Sequence, residues 1–241
     1  MSEGAIAYRE RPARFVGATL WGLRTDGKPH RVLPDGCMDL IWSGDQLLVA
    51  GPDTQAFISA GSAGMPVAGV RFAPGTAPGL LGVPARELRN IRVPLADLWS
   101  PAQARRISER IARAPYAARA LESEVLRLAD DRPVSPPLGG GTASTVARVR
   151  QGDPVHAIAS GLGLSERQLH RRCLEAFGYG LKTLGRILRM TAALDLGRDG
   201  LPLADVAVRT GYADQTHLTR DIKALTGLSP TRLLTPQSPR P

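Results

Sequence analysis

Two short runs near the end of the chain carry the side chains with most to offer chemically. In Asp153–Phe177 a helix starting at Glu166 puts Arg167, His170 and Arg171 on one face, at i, i+3 and i+4. Leu169 and Cys173 turn to the opposite face. In Leu203–Ile222 a second helix does the same with Gln215, Thr216 and Arg220 outward and Leu218 and Ile222 inward. None of these groups pairs a nucleophile with a base. Guanidinium, imidazole, amide and hydroxyl are hydrogen-bonding groups, so the chemistry they offer is recognition. Arg can donate two hydrogen bonds to guanine, and Gln can pair with adenine. Arg172, beside Leu169, reads as a phosphate or structural partner.

Each polar face needs an element to hold it. Ser165 followed by Gln168 is a capping box, in which the serine caps the Gln168 amide and the glutamine reaches back. Val155, Ile158 and Ala159 form a short apolar stripe ahead of it, ended by Gly161 or Gly163. The second run repeats the plan with Leu203, Val206 and Ala207, then Gly211, then Asp214 as N-cap. The two copies form an internal repeat. A short helix, a glycine turn and a capped polar helix are the parts of a helix-turn-helix, whose second helix enters the major groove of DNA.

The rest of the chain has two textures. Up to about residue 72, short β-prone runs alternate with turns: Phe15–Leu23, Arg31–Leu33, Met38–Trp42, Gln46–Ala50, Ala56–Ala60 and Val67–Phe72. Such spacing predicts a sandwich or barrel. Ala102–Arg113 and Tyr116–Ala129 suit amphipathic helices, the second with Ala117, Leu121, Val125 and Leu128 on one stripe. That stripe can face its own sheet or a second subunit. Asp130–Thr142, with three prolines and three consecutive glycines, predicts irregular backbone and a domain boundary. The fold class expected is therefore α+β in two domains. Residues 1–130 form a β-rich, cupin-like or sandwich domain with trailing helices, 131–141 a linker, and 142–235 an all-α domain.

Charge agrees with that division. The chain has 241 residues, a net charge of +9 and a pI near 10.5. Residues 136–241 hold 14 Lys/Arg against 8 Asp/Glu, whereas residues 1–135 hold 17 against 14. A basic domain is the electrostatic footprint of nucleic-acid binding. The two cysteines, Cys37 and Cys173, make no metal-ligand spacing. No secretory or membrane-spanning run is present, so a cytoplasmic location is expected. No Ser-His-Asp order, HExxH or phosphate loop appears, so neither a catalytic site, a cofactor nor a metal is expected.

Residues Thr142–Leu234 resemble the AraC/XylS-type DNA-binding domain. The longest matching stretch runs from Gly211-Tyr-Ala-Asp-Gln-Thr-His-Leu to Thr-Gly-Leu-Ser-Pro230. The first copy fits through Ala159, Leu164-Ser165, Leu169, Arg172, Phe177-Gly178 and Leu188-Arg189. The resemblance implies two helix-turn-helix units joined by one helix, here about Leu181–Leu196, with Leu184, Ile187, Leu188 and Leu194 packing on both. It implies recognition helices in successive major grooves, about 34 Å apart. Base readers would be Arg167, His170 and Arg171, then Gln215, Thr216 and Arg220. The family has aromatics where Ile222 stands and near Cys173, and Gly180-Leu181 replaces a Ser-Pro; these read as changes in how the interior packs, with the DNA face kept.

Leu33-Pro-Asp-Gly-Cys-Met-Asp-Leu-Ile-Trp42, Gly51-Pro-Asp53 and Gly69-Val-Arg-Phe-Ala-Pro-Gly75 resemble the uncharacterised domain found ahead of this DNA-binding type. That implies a sensor or dimerisation domain whose effector-binding residues are unknown. Asp39 reads as a partner for Arg71 or as a polar anchor in a pocket. Arg71 could equally hold an anionic effector. Cys37 and Cys173 read as buried small groups, with an alkyl-accepting Cys37 as a minor alternative. The expected function is sequence-specific transcription regulation, with duplex DNA as partner and a small-molecule effector, RNA polymerase and a second copy as further candidates. An enzyme-like first domain targeted to DNA, or an architectural DNA binder without effector, are the alternatives.

Overall fold

The computed structural model describes residues 8–59, 61–131 and 136–235. Its first region is built on β1 (Arg9–Pro12), β2 (Ala18–Arg24), β3 (His30–Val32), β4 (Met38–Ser43), β5 (Gln46–Ala50), β6 (Phe57–Ser59), β7 (Pro66–Phe72) and β8 (Arg92–Pro94). Six of these form one antiparallel sheet in the order β1-β2-β7-β4-β5-β8, and β3 pairs with β6 as a separate ribbon. Helices α1 (Ala77–Leu81), α2 (Leu95–Leu98), α3 (Pro101–Ala112) and α4 (Ala117–Asp131) complete the region.

Period-two alternation decides which side of the sheet is covered. Met38, Leu40 and Trp42 of β4 are buried, in one layer with Leu20, Val70 and Phe72. Onto that layer pack Ile107 and Ile111 of α3 and Leu121, Val125 and Leu128 of α4. Burying each such side chain contributes roughly 1.5–3 kcal/mol. The apolar stripe of α4 thus faces its own sheet. Two residues beside the stripe, Glu122 and Glu124, are also buried and are matched by arginines. Arg11 donates to Glu122 at 3.0 and 2.7 Å, joined by the Arg14 amide at 2.8 Å, and Arg110 donates to Glu124 at 2.9 Å.

On the opposite face of the sheet Trp21 lies flat over Gly69, where a Cβ would meet the indole at 2.3 Å. The Trp21 Nε1–H donates to Asp39 at 2.7 Å, and Arg71 pairs with the same carboxylate at 3.3 Å. Asp39 is therefore the partner of Arg71, directly across the β4–β7 ladder. Burial pushes its carboxyl up, against the pull of Arg71.

The second region is all helical: α5 (Thr142–Gln151), α6 (Val155–Gly161), α7 (Glu166–Phe177), α8 (Leu181–Arg198), α9 (Leu203–Arg209), α10 (Gln215–Thr226) and α11 (Pro230–Leu234). Leu184, Ile187, Leu188 and Leu194 of α8 are buried in one core shared by both helix pairs. Ile222 and Cys173 lie in it too, at 1% and 0% exposure. Sequence spacing predicted irregular backbone from Asp130 to Thr142. Instead α4 continues to Asp131, and Gly139–Gly141 wind one 3-10 turn. Leu138 anchors that turn in the helical core, and the Thr142 and Thr145 hydroxyls donate to the Gly139 and Gly141 carbonyls at 3.1 and 2.7 Å. Residues 132–135, which include the first proline of that stretch, lie outside the described residues.

The two regions meet along a seam that uses all three of the N-terminal sequence strings. Leu33 packs on the helical core and Gly36 lies against Leu184. Pro52 touches Gly178, and Gly75 lies against Thr142 and Phe177. Tyr179 is buried at 3% exposure, and that burial, with smaller contributions from Asp35, Cys37 and Asp53, pushes its hydroxyl well above the ordinary range.

Candidate nucleic-acid interface

The pairs α6–α7 and α9–α10 have the same construction. Each begins after a proline, Pro154 or Pro202, which fixes φ at the entry. Each first helix buries two apolar residues, Ile158 and Ala159 or Val206 and Ala207. Ser165 then caps α7 by accepting from the Gln168 amide, and Gln168 Oε1 accepts from the Ser165 amide at 2.9 Å, so the capping box is complete. Asp214 caps α10, accepting from the His217 amide at 2.7 Å. Both helices close on a left-handed glycine, Gly178 at φ +78° and Gly227 at φ +76°. Every residue of α7 has its counterpart 49 positions later in α10, so Arg171 and Arg220 occupy the same place.

Arg167, His170 and Arg171 are exposed, as are Gln215, Thr216 and Arg220. The inward residues of the same helices, Leu169, Cys173, Leu218 and Ile222, are at 0–1% exposure. Both trios thus stand on open faces near the helix starts. Gln215, Thr216 and Arg220, together with Thr219 and Lys223, line a shallow open depression of about 480 Å³. Thr219 and Lys223 were not among the residues expected from sequence, although the i+4 spacing from Gln215 through Thr219 to Lys223 places them there. His170 differs from its companions in lying against Gly180, where a Cβ would meet the imidazole at 3.0 Å. A serine at that position, as the AraC/XylS resemblance leads one to expect, would crowd the ring.

Charge pairs that sequence did not single out hold these helices from behind. Arg186 of α8 donates to Asp221 of α10 at 2.8 and 2.6 Å. Tyr212 donates to the other oxygen of Asp221 at 3.3 Å, and the Arg189 guanidinium lies 4.4 Å from the Tyr212 ring centroid. Burial and Asp221 push the Tyr212 hydroxyl up to about 12. In the first unit Arg148 of α5 bonds Asp153 at 2.6 Å and the Ala157 carbonyl at 3.2 Å, tying α5 to α6. These three arginines therefore serve the scaffold, while Arg167, Arg171 and Arg220 stand exposed.

Cys37 sits in the seam, and burial pushes its thiol well above the ordinary range, with Asp35 and Asp39 adding to the effect. Such surroundings oppose the thiolate that alkyl transfer needs. No group of His, Cys, Asp and Glu among the described residues could hold a metal ion. No helix of the described residues is long and apolar enough to cross a membrane.

Two capped helix-turn-helix units thus share the α8 core and follow a β-rich region. In comparison with known families, residues 158–235 match the family described as a helix-turn-helix domain, and residues 13–94 match the one described as a domain of unknown function (DUF6597). The HTH-type transcriptional regulator RipA of Corynebacterium glutamicum is 28% identical over 152 residues, covering 61% of this chain and 45% of RipA. This chain thus spans less than half the length of that relative. Among solved structures, the C-terminal domain of AraT, a response regulator from Geobacillus stearothermophilus, is 24% identical with a TM-score of 0.34, covering 40% of this chain and 88% of its own. ToxT of Vibrio cholerae O395 is 11% identical with a TM-score of 0.48, covering 92% and 99%.

Proposed function

We propose that this protein is a transcription regulator that binds duplex DNA sequence-specifically through α7 and α10. The observation that carries this reading is the repeat itself. Two N-capped helices, 49 residues apart in register, each turn a free hydrogen-bonding face outward in a basic domain. The helix starts add partial positive charge for phosphates. Arg167, His170 and Arg171 are the readers of the first unit, and Gln215, Thr216 and Arg220 those of the second. They address successive major grooves, about 34 Å apart on one side of the duplex. An effector acts at the first domain. Its candidate entry is a cavity of about 660 Å³ between the sheet and the start of α4, lined by Trp42, Leu20 and Tyr116 with Arg9, Arg11 and Arg24. That size is within the usual range for small ligands. RNA polymerase and a second copy of the chain are further partners of this reading. With the α4 stripe spent on its own sheet, a second copy would use another surface.

The test is a salt titration of the full chain on duplex DNA. The expected result is log K falling linearly with log salt, with a slope of about −5 or steeper for six or more phosphates. Binding that ignores salt, or no binding near 50 mM salt, would contradict the reading.

A further inference from the structure

The first domain touches both reading units, and it does so at corresponding places. Arg31 of β3 donates to the Thr226 carbonyl at 2.8 Å, beside Gly227, and the Ala56 amide, just ahead of β6, donates to the Leu225 carbonyl at 2.9 Å. The β3–β6 ribbon thus holds the end of α10. At the end of α7, Arg86 pairs with Glu175 at 3.7 Å, and Arg89 reaches the Gly178 carbonyl at 3.5 Å. Gly178 itself lies against Pro52 and the Ala85 carbonyl; a Cβ there would meet them at 2.9 and 3.1 Å. The last carbonyls of a helix have no partner within it and carry the negative end of its dipole, so arginines suit both places.

These holds leave the reading faces open. Arg167 and Gly178 are separated by roughly 16 Å along the helix at 1.5 Å per residue. Within the helical domain the two units are joined mainly through α8, which packs on α5 and α7 of one and on α9, α10 and α11 of the other. A single beam resists bending and twisting less well than a beam with a second strut. The first domain supplies that strut, gripping α7 and α10 at equivalent turns.

We propose that the first domain is a splint that sets the angle and spacing between the two recognition helices, with Arg31, Arg86 and Arg89 as positioning residues. The separation of DNA blocks that the chain accepts would then be fixed by a domain that touches no DNA. This rests on the DNA-binding reading above.

The test uses the full chain, on a site enriched by that chain from random duplex DNA and on the same site with one base pair inserted between its blocks. The insertion rotates one block against the other by about 34° and moves it about 3.4 Å. The parent should lose about tenfold or more in affinity on insertion, and an Arg31→Ala/Arg89→Ala double variant less than about threefold, with affinity for a single block unchanged. Arg31→Lys should keep the parent's discrimination, because an ammonium can still donate to the Thr226 carbonyl. A double variant that discriminates as sharply as the parent would overturn the splint, as would a parent indifferent to the insertion. Spin labels at Arg150→Cys and Arg209→Cys, both exposed positions, give a readout without DNA. The distance distribution between the two units should be narrow in the parent and broader in the double variant. Equal widths would overturn the splint even if no DNA site were enriched, whereas unequal widths with no enriched site would count against the DNA reading alone.

Discussion

Arg220 and its counterpart Arg171 stand exposed at the same place on their helices, each opposite a residue buried in the shared core. If Arg220 reads a base, Arg220→Ala weakens specific binding by about 1–3 kcal/mol and relaxes base choice at one position only. An equal loss on all sequences in a mobility-shift comparison would make it a phosphate contact. Asp214→Ala removes the α10 cap and should cost about 1 kcal/mol of stability, read as a lower urea midpoint. Tyr179 offers the opposite sign. Its hydroxyl is buried in the seam without a hydrogen-bond partner among the described residues. An unsatisfied buried hydroxyl costs about 1–3 kcal/mol, so Tyr179→Phe should raise the melting temperature; a fall would show that the hydroxyl is satisfied. Much at this scale was legible in sequence. Helical periodicity alone sorted Arg167 and Arg171 from Leu169 and Cys173, and a strand aspartate pointed to Arg71. What sequence hid was contact across distance. Nothing local says that Trp21 donates to Asp39, or that Arg186 rather than a solvated partner holds Asp221.

The repeated helix pairs and six of the strands follow from pattern, because apolar period, caps and glycine turns agree there, whereas α8 is what the family resemblance implies. β1 does not, since Arg-Glu-Arg-Pro has no alternation and becomes a strand only by pairing with β2 at the sheet edge. β8 is three residues long and is likewise made by its neighbour β5. The edge strand has a further tie. Arg11 of β1 bonds Glu122 of α4, and that hydrogen bond holds the Glu122 carboxyl below its ordinary range. A carboxyl depressed in the folded state contributes stability above its unfolded pKa and loses it as pH falls through the folded value. Glu122→Gln should therefore cost about 1–3 kcal/mol at pH 7. The gap to the parent in urea midpoint should shrink between about pH 5 and pH 3. A gap that stays constant with pH would mean that packing of α4, not the ion pair, carries the effect.

At the scale of the whole molecule the seam is the least local feature. The strings at Leu33–Trp42, Gly51–Asp53 and Gly69–Gly75 stood out in sequence without a structural role, and they pack on the helical region at α5, the end of α7, Gly178 and α8. Their glycines and prolines make sense as close-approach surfaces, which no periodicity could announce. The central claim remains that two recognition helices read DNA together. The measurement that tests it most directly is a selection of random duplex DNA by the full chain, followed by sequencing of the enriched sites. The account predicts one motif with two conserved blocks whose centres lie about one helical turn, 10–10.5 base pairs, apart. A single block would contradict the paired reading, and no enrichment above general, salt-sensitive binding would contradict sequence recognition altogether.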